Sequence, residues 1–292
     1  MGLPYALPRA AAAAVLAALV LCGPAPAQGP AHEYVPEVGQ DGKDVVWVPT
    51  AQTLVEKMLD MAKVTPDDYV IDLGSGDGRT VITAARRGAK ALGIEFNPKM
   101  AELARRNAER AGVADKARFV EGDIFASDFS EATVLTLFLL PDLNRRLMPT
   151  ILAMKPGTRV VSNSFSMGDW RPDKTAEVIQ DCKTHCRALL WIVPAKVEGA
   201  WELRFAGEPA EYLLSLNQTQ QFFTGSISIG DKIHFSVRGR LDGSQVTYTV
   251  PDHPLAPGFE LKGEVNDNRM GGSSTAAGKP AATWSAMRKT GP

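Results

Sequence analysis

The sequence predicts an α/β protein built on a doubly wound, largely parallel sheet and followed by a small antiparallel all-β domain. Three observations lead there. Short apolar runs alternate with helix-period segments from Gln52 to about Trp191. A glycine-rich turn, "DLGSGDGR" (72–79), leaves the first apolar run, where a sheet of this kind holds its ligand. From about residue 199 onward, short alternating runs are divided by Gly, Asp and Ser, the pattern of antiparallel hairpins.

The elements follow in order. Leu54, Val55, Met58, Leu59 and Met61 recur at helical spacing between Gln52 and Val64, and "TPDD" closes that helix. Tyr69 to Leu73 is a continuous apolar strand running into the glycines. "GRTVITAARRG" reads as a helix ended by Gly88, and "ALGIEF" as the second strand. Asn97 caps a long helix with Pro98 in its first turn, and the helix runs to Gly112. "ARFVEGD" and "ATVLTLFLL" are the third and fourth strands; the second of these is almost wholly apolar and therefore central. "DLNRRLMPTILAMKPG" is an amphipathic helix, "TRVVSNSF" the fifth strand, and "LLWIVPAKV" finishes the sheet. In the β domain, which begins at 199 and forms a barrel or sandwich, residues 269–282 are polar and small and are expected to form a mobile loop before a closing strand at "WSAMRK". Trp201, Phe222, Phe223 and Trp284 are expected mainly as that domain's core.

Composition narrows the function classes. With 45% hydrophobic and 22% charged residues the 292-residue chain has the make-up of a globular protein, and its net charge of -1 provides no basic field for nucleic acid. Arg9 precedes an apolar stretch, Ala10 to Cys22, that is short for a membrane span, and Ala25 and Ala27 are the small residues of a cleavage site. Residues 1–27 are thus expected to be a signal peptide and 28–44 a linker, with export to a periplasm and no stable span after cleavage. The alternative is a cytoplasmic protein or one tethered by an uncleaved N-terminus. Only Cys182 and Cys186 then remain, as buried or bridged structural cysteines; His185 beside them lacks the paired ligand spacing of a zinc site, so no metal is expected.

The glycine turn carries the chemistry. Its pattern is G-x-G-x-G with an acid two residues ahead, whereas a dinucleotide turn is G-x-G-x-x-G. Gly74, Gly76 and Gly78 let a ligand approach the backbone, with Ser75 between them. Asp72 and Asp77 suit a ligand bearing positive charge, and S-adenosylmethionine carries a sulfonium and an ammonium. Glu95, ending the second strand, is positioned to accept from ribose hydroxyls, with Asn97 just beyond. Asp123, after the third strand, accepts from an adenine amino group while the Ile124 amide donates to the ring. Three acids at three successive strand ends indicate S-adenosylmethionine as cofactor.

Through "VIDLGSGDGR", "GIEFNP" and "EGDIF", residues 45 to about 195 resemble the class I S-adenosylmethionine-dependent methyltransferases, and a domain of that kind is expected over 45–198. Through "WVPT", "EFNP", "FLLPDLN" and "SFSMGDWRPD" they are similar, more narrowly, to the protein-lysine methyltransferases that modify the ATP synthase c-subunit and the adenine nucleotide translocase. The resemblance implies a seven-stranded Rossmann-like sheet and methyl transfer to nitrogen, with a protein lysine the favoured acceptor and a small molecule the alternative. Trp47, the leader and the added β domain depart from the pattern.

Transfer from a sulfonium is a direct displacement, which requires in-line positioning of a neutral nucleophile and exclusion of water. Groups that orient an amine are expected at the end of the fourth strand: the Leu140 and Pro141 carbonyls and Asp142, which is equally suited to cap the next helix. Thr50 and "WVP" are expected as a lid over the methionine end. Trp47 is read as a surface aromatic on the sheet edge or as a wall of the acceptor channel, and Asp169 and Trp170 are expected near its rim. Rival readings are a methyltransferase fold that binds without catalysing and an exported binding protein that uses the β domain. A nicotinamide oxidoreductase is disfavoured by the glycine spacing.

Overall fold

The computed structural model describes residues 1–2, 34–230, 233–251, 259–276 and 279–289. The expected signal peptide lies almost wholly outside them. Four helices, α1 Gln52–Met61, α2 Arg79–Arg86, α3 Pro98–Arg110 and α4 Pro141–Leu152, accompany seven strands, β1 Tyr69–Leu73, β2 Lys90–Glu95, β3 Ala117–Glu121, β4 Val134–Leu137, β5 Arg159–Asn163, β6 Lys174–Glu177 and β7 Arg187–Ile192. The sheet order is β3-β2-β1-β4-β5-β7-β6. β1 to β5 are parallel, and β7 runs antiparallel to both β5 and β6. The register sets Leu73 beside Ile94 and Leu137, and Glu95 beside Glu121, so the carboxyl ends of β1 to β4 form one rim. One core, with Leu54, Val55, Met58, Leu59, Val81 and Ala104, lies against one face of the sheet. A second, with Ile71, Leu135, Leu147, Trp170 and Trp191, lies against the other.

The remainder is a closed eight-stranded antiparallel barrel, β8 Gly199–Phe205, β9 Glu211–Thr219, β10 Phe222–Ile229, β11 Ile233–Asp242, β12 Gln245–Val250, β13 Phe259–Asn266, β14 Arg269–Ala276 and β15 Lys279–Arg288. Successive strands pair, and β15 closes on β8. An eight-stranded barrel is narrow enough to fill with side chains. Here Trp201, Phe223, Tyr248, Leu261 and Trp284 do so, with Tyr248 and Trp284 edge to face at 5.5 Å. Phe222, expected in that core, points outward on the same strand because side chains alternate.

Sheet and barrel share one compact unit, Pro36–Pro292. Because β7 is antiparallel, its last residue, Ile192, lies beside Arg159 at the start of β5, and the chain passes into the barrel at the end of the sheet opposite the rim. There the Ala195 amide donates to the Gly243 carbonyl at 2.8 Å. A Cβ on Gly243 would stand 3.0 Å from the Gly157 Cα, so that close approach requires glycine. The joint is fixed by Asp173, whose carboxylate accepts from the Ile192 amide at 2.7 Å and from Arg240 at 2.5 Å, while Gln221 donates to the Arg171 carbonyl at 2.7 Å.

Three further expectations are corrected. The loop expected over 269–282 is largely strand, β14 and the start of β15. Its small residues are a packing requirement, since a Cβ on Gly272 would fall 2.0 Å from the Lys262 oxygen and one on Gly263, opposite it, 2.6 Å from the Trp284 ring. Trp170 is fully buried against Trp191 and not at a rim, because the chain leaving β5 crosses the sheet toward β6. The expected linker 28–44 includes residues that fold back onto the sheet: the Gly39 amide donates to Trp47 O and the Trp47 amide to Gln40 O, closing a turn over 39–47.

Candidate active site

A cleft of about 1040 Å³, open mouth included, sits on the rim of the sheet. It is bounded by residues 40–50, the glycine turn, the ends of β2 and β3, and Leu137 to Leu139. The sequence reading placed Asp72, Glu95 and Asp123 at three successive strand ends, and all three line it together with Thr50, Gly74, Ser75, Gly76, Asp77, Asn97 and Ile124.

Asp72 is the buried charge of the cleft. Thr136 Oγ1 donates to it at 2.6 Å. Burial raises its carboxyl to about 7, against the pull of the Thr136 and Thr80 hydroxyls, and the charges of Glu95 and Asp77 push it the same way. A cation delivered to this cleft would meet a carboxyl that ionises near neutrality, which is the fit that a sulfonium and ammonium require. The three turn glycines all have positive φ. At Gly76 a Cβ would lie 2.6 Å from Trp47 Nε1, and at Gly78 2.7 Å from the Phe119 ring. Trp47 therefore covers the glycine turn itself instead of packing on the sheet edge, and Gly78 serves the packing of α3 and β3 beneath the turn.

The other acids have partners within the fold. Asp77 is held by Arg79, whose Nη2 lies 2.6 Å from Oδ2, and the same guanidinium donates to the Thr50 carbonyl at 2.7 Å. Thus Asp77 does not present a free negative charge; it anchors the arginine that binds the covering segment to the turn. Thr50 is fastened again by Asn163 Nδ2 at 3.2 Å. Glu95 accepts the Gly76 amide at 2.8 Å and the Asn97 amide at 2.9 Å, so its carboxylate shapes the turn while facing the cleft. Asn97 Oδ1 accepts from the Lys99 amide at 2.9 Å and caps α3. Asp123 accepts from the Phe125 amide at 2.9 Å and from Lys43 at 2.5 Å, and the Lys43 contact holds its carboxyl below the usual range. Lys43 also lies 4.9 Å over the Phe96 ring, so one ammonium occupies the neighbourhood expected for adenine. Ser75 Oγ is buried without a hydrogen-bond partner.

Residues 140–142 do not reach the cleft as expected. β4 ends at Leu137, three residues before the apolar run does, and Pro141 opens α4. The Leu140 carbonyl accepts the Leu143 and Asn144 amides, Pro141 lies within the helix, and Asp142 is 80% exposed and paired with Arg145. Phe138 and Leu139 line the cleft where those groups were expected. Arg79, Lys43 and Phe138 were missed. The basic residue closing "GSGDGR" and the break in the run at Leu140-Pro141 were the available signals for two of them.

Against known proteins, the family described as the ANTKMT methyltransferase domain matches residues 72–174. The chain is 45% identical over 148 residues to a protein-lysine N-methyltransferase of Saccharolobus islandicus, covering 50% of this chain and 88% of that protein. It is 35% identical over 130 residues to the mouse lysine N-methyltransferase of the ATP synthase c-subunit, covering 44% of this chain and 52% of that one, so it spans only about half of the mouse protein. A crystal structure of an RNA methyltransferase from Salinibacter ruber in complex with S-adenosyl-L-homocysteine is 47% identical, with a TM-score of 0.48 over 51% of this chain and 96% of that one.

Proposed function

The chain belongs to the family of S-adenosylmethionine-dependent methyltransferases that includes its Saccharolobus islandicus protein-lysine N-methyltransferase relative, and from that premise we propose that it methylates the side-chain nitrogen of a protein lysine. The observation that carries the reading is the cleft in which Asp72, Glu95 and Asp123 converge on the glycine turn and which ends at Phe138 and Leu139. When bound, S-adenosylmethionine supplies an electrophilic methyl group on a sulfonium. Asp72 would hold a negative charge beside the turn, Glu95 fixes the Gly76 amide, and Asp123, here paired with Lys43, would take the adenine end. Trp47 and Thr50, latched by Arg79, exclude water from above. The Leu137 to Leu139 segment supplies an apolar approach in which an amine is held without its proton.

We place the protein in an exported, oxidising compartment. Support comes from the leader pattern and from the Cys182–Cys186 disulfide. The net charge of -1 favours a protein acceptor over nucleic acid. The test is to incubate residues 28–292 with methyl-tritiated S-adenosylmethionine and poly-L-lysine and to analyse the acid hydrolysate. Label eluting as methyllysine upholds the reading; label confined to other products, or absent while the cofactor binds, overturns it.

A further inference from the structure

Three rings meet beside the apolar end of the cleft. Phe138, which lines the cleft, lies 6.0 Å from Phe165 and 5.3 Å from His185, and Phe165 lies 5.5 Å from His185. Both phenylalanines are half-buried and the histidine is exposed. The rings come from three separate segments: the exit of β4, the exit of β5, and the connection between β6 and β7.

The exit of β5 and the β6–β7 connection are both tightly held. The Phe165 carbonyl accepts from Ser162 Oγ at 2.8 Å and from Asn144 Nδ2 at 3.2 Å. The β6–β7 connection is closed by the Cys182–Cys186 disulfide, with Cα atoms 5.7 Å apart, and Thr53 at the start of α1 donates to the Gln180 carbonyl at 3.2 Å. Ser164, Asp181 and His185 have φ of 60°, 55° and 56°, three of the six left-handed non-glycine residues among those described. Backbone held in that region is costly and gathers where surrounding structure and function demand it. A connection of this length needs none of these constraints merely to join the edge strand β6 to its neighbour β7.

We infer that Phe138, Phe165 and His185 form the wall along which the acceptor lysine approaches the methyl group, and that the disulfide fixes acceptor affinity by holding His185 in that wall. The inference rests on the reading of the site as an amine methyltransferase. An aromatic face suits both parts of a lysine: its methylenes pack on the rings, and its ammonium, before losing the proton, is attracted to them. The wall is continuous with the cleft through Phe138 and reaches solvent at His185, so it joins the two places that an acceptor side chain must span. His185 is a specificity-determining residue here.

The experiment compares wild type, His185→Ala, His185→Phe and Cys182→Ser/Cys186→Ser in methyl transfer to poly-L-lysine, with calorimetry of S-adenosylhomocysteine in parallel. Loss of the imidazole or of the bridge is expected to raise acceptor KM at least tenfold while the S-adenosylhomocysteine Kd stays within twofold, and His185→Phe to restore KM. Unchanged KM in both His185→Ala and the serine variant overturns the inference, as does a parallel loss of S-adenosylhomocysteine affinity. If wild type makes no methyllysine, the lysine reading fails by itself. The wall is then decided by titrating n-butylammonium into the S-adenosylhomocysteine complex and following the His185 Cε1–H resonance: a saturable shift upholds it, and none overturns it.

Discussion

The sheet and the barrel bury polar groups in opposite ways. At the sheet's rim Thr50, Asp72, Ser75, Thr80, Thr136 and Asn163 are all buried within a small volume, and several are held by single hydrogen bonds. The barrel encloses the rings of Trp201, Phe223, Tyr248 and Trp284 and places one polar atom among them without a partner, the Tyr248 hydroxyl, which burial pushes well above the usual phenol range. A buried polar group costs free energy unless satisfied, so a cluster of them persists where a ligand or reaction repays it. The sheet is thus organised around something it must hold. The barrel is organised around its own packing and joins the sheet at the end away from the cleft, so it does not shape the cofactor site.

The largest test of that contrast is Trp284→Ala. The ring is almost fully buried, and its Nε1 donates to the Lys262 and Ser273 carbonyls. Truncation is expected to lower barrel stability by roughly 3–5 kcal/mol. Calorimetric unfolding should then show an early barrel transition, with S-adenosylhomocysteine affinity below that transition unchanged. Loss of affinity in step with barrel unfolding would break the separation of the two regions.

Next in size is Asp72→Asn, expected to weaken S-adenosylmethionine binding by roughly 1.5–3 kcal/mol through loss of a buried charge-assisted contact. The same carboxyl sets a pH dependence with two signs. Its folded value, about 7, lies above its ordinary one of 3.8, so its contribution to stability without ligand is complete below the ordinary value and is lost as pH rises from there to about 7. Cofactor affinity runs the other way, because the ionised form attracts the cation: binding should strengthen between pH 6 and 8. Calorimetry across that range, with Asp72→Asn giving a flat profile, checks both.

These two residues also show what could be read in the sequence. The glycine turn, the three acids, the alternation of elements and the change of period at 199 were all legible, because each is a local pattern with a steric or electrostatic cause. The edge strand β6 was not: Lys174–Glu177 is mostly exposed and carries no apolar alternation. Nor was the pairing across the chain: Lys43 lies 80 residues from Asp123 in sequence. Asp77 looked like a free charge although Arg79, two residues on, takes it. Small residues at 271–274 looked flexible because composition does not register the Trp284 ring and the Lys262 backbone packed against them.

A smaller effect tests the joint. Asp173 is nearly inaccessible, but Arg240 is about half exposed, so solvent screens their pair and Arg240→Ala should cost only about 0.5–1 kcal/mol. Asp173 keeps its bond from the Ile192 amide. The expected result in urea unfolding is a modest loss that shrinks in high salt and a wider separation of sheet and barrel transitions. A loss of several kcal/mol would mean that the barrel depends on the sheet for its fold.

The smallest effect bears on the chemistry. Asp142 sits on the first turn of α4 with its carboxylate in solvent and Arg145 beside it. An exposed ion pair within one helix contributes little, so Asp142→Ala should change stability by less than about 0.5 kcal/mol. Methyl transfer should stay within twofold of wild type, because the side chain is exposed and is not among those that line the cleft. Phe138→Ala, by contrast, removes a ring from that lining and should impair transfer. If activity instead falls more than tenfold in Asp142→Ala, with S-adenosylhomocysteine affinity intact, the acid must swing into the cleft during turnover. The reacting end of the site would then be set by α4 and not by the exit of β4.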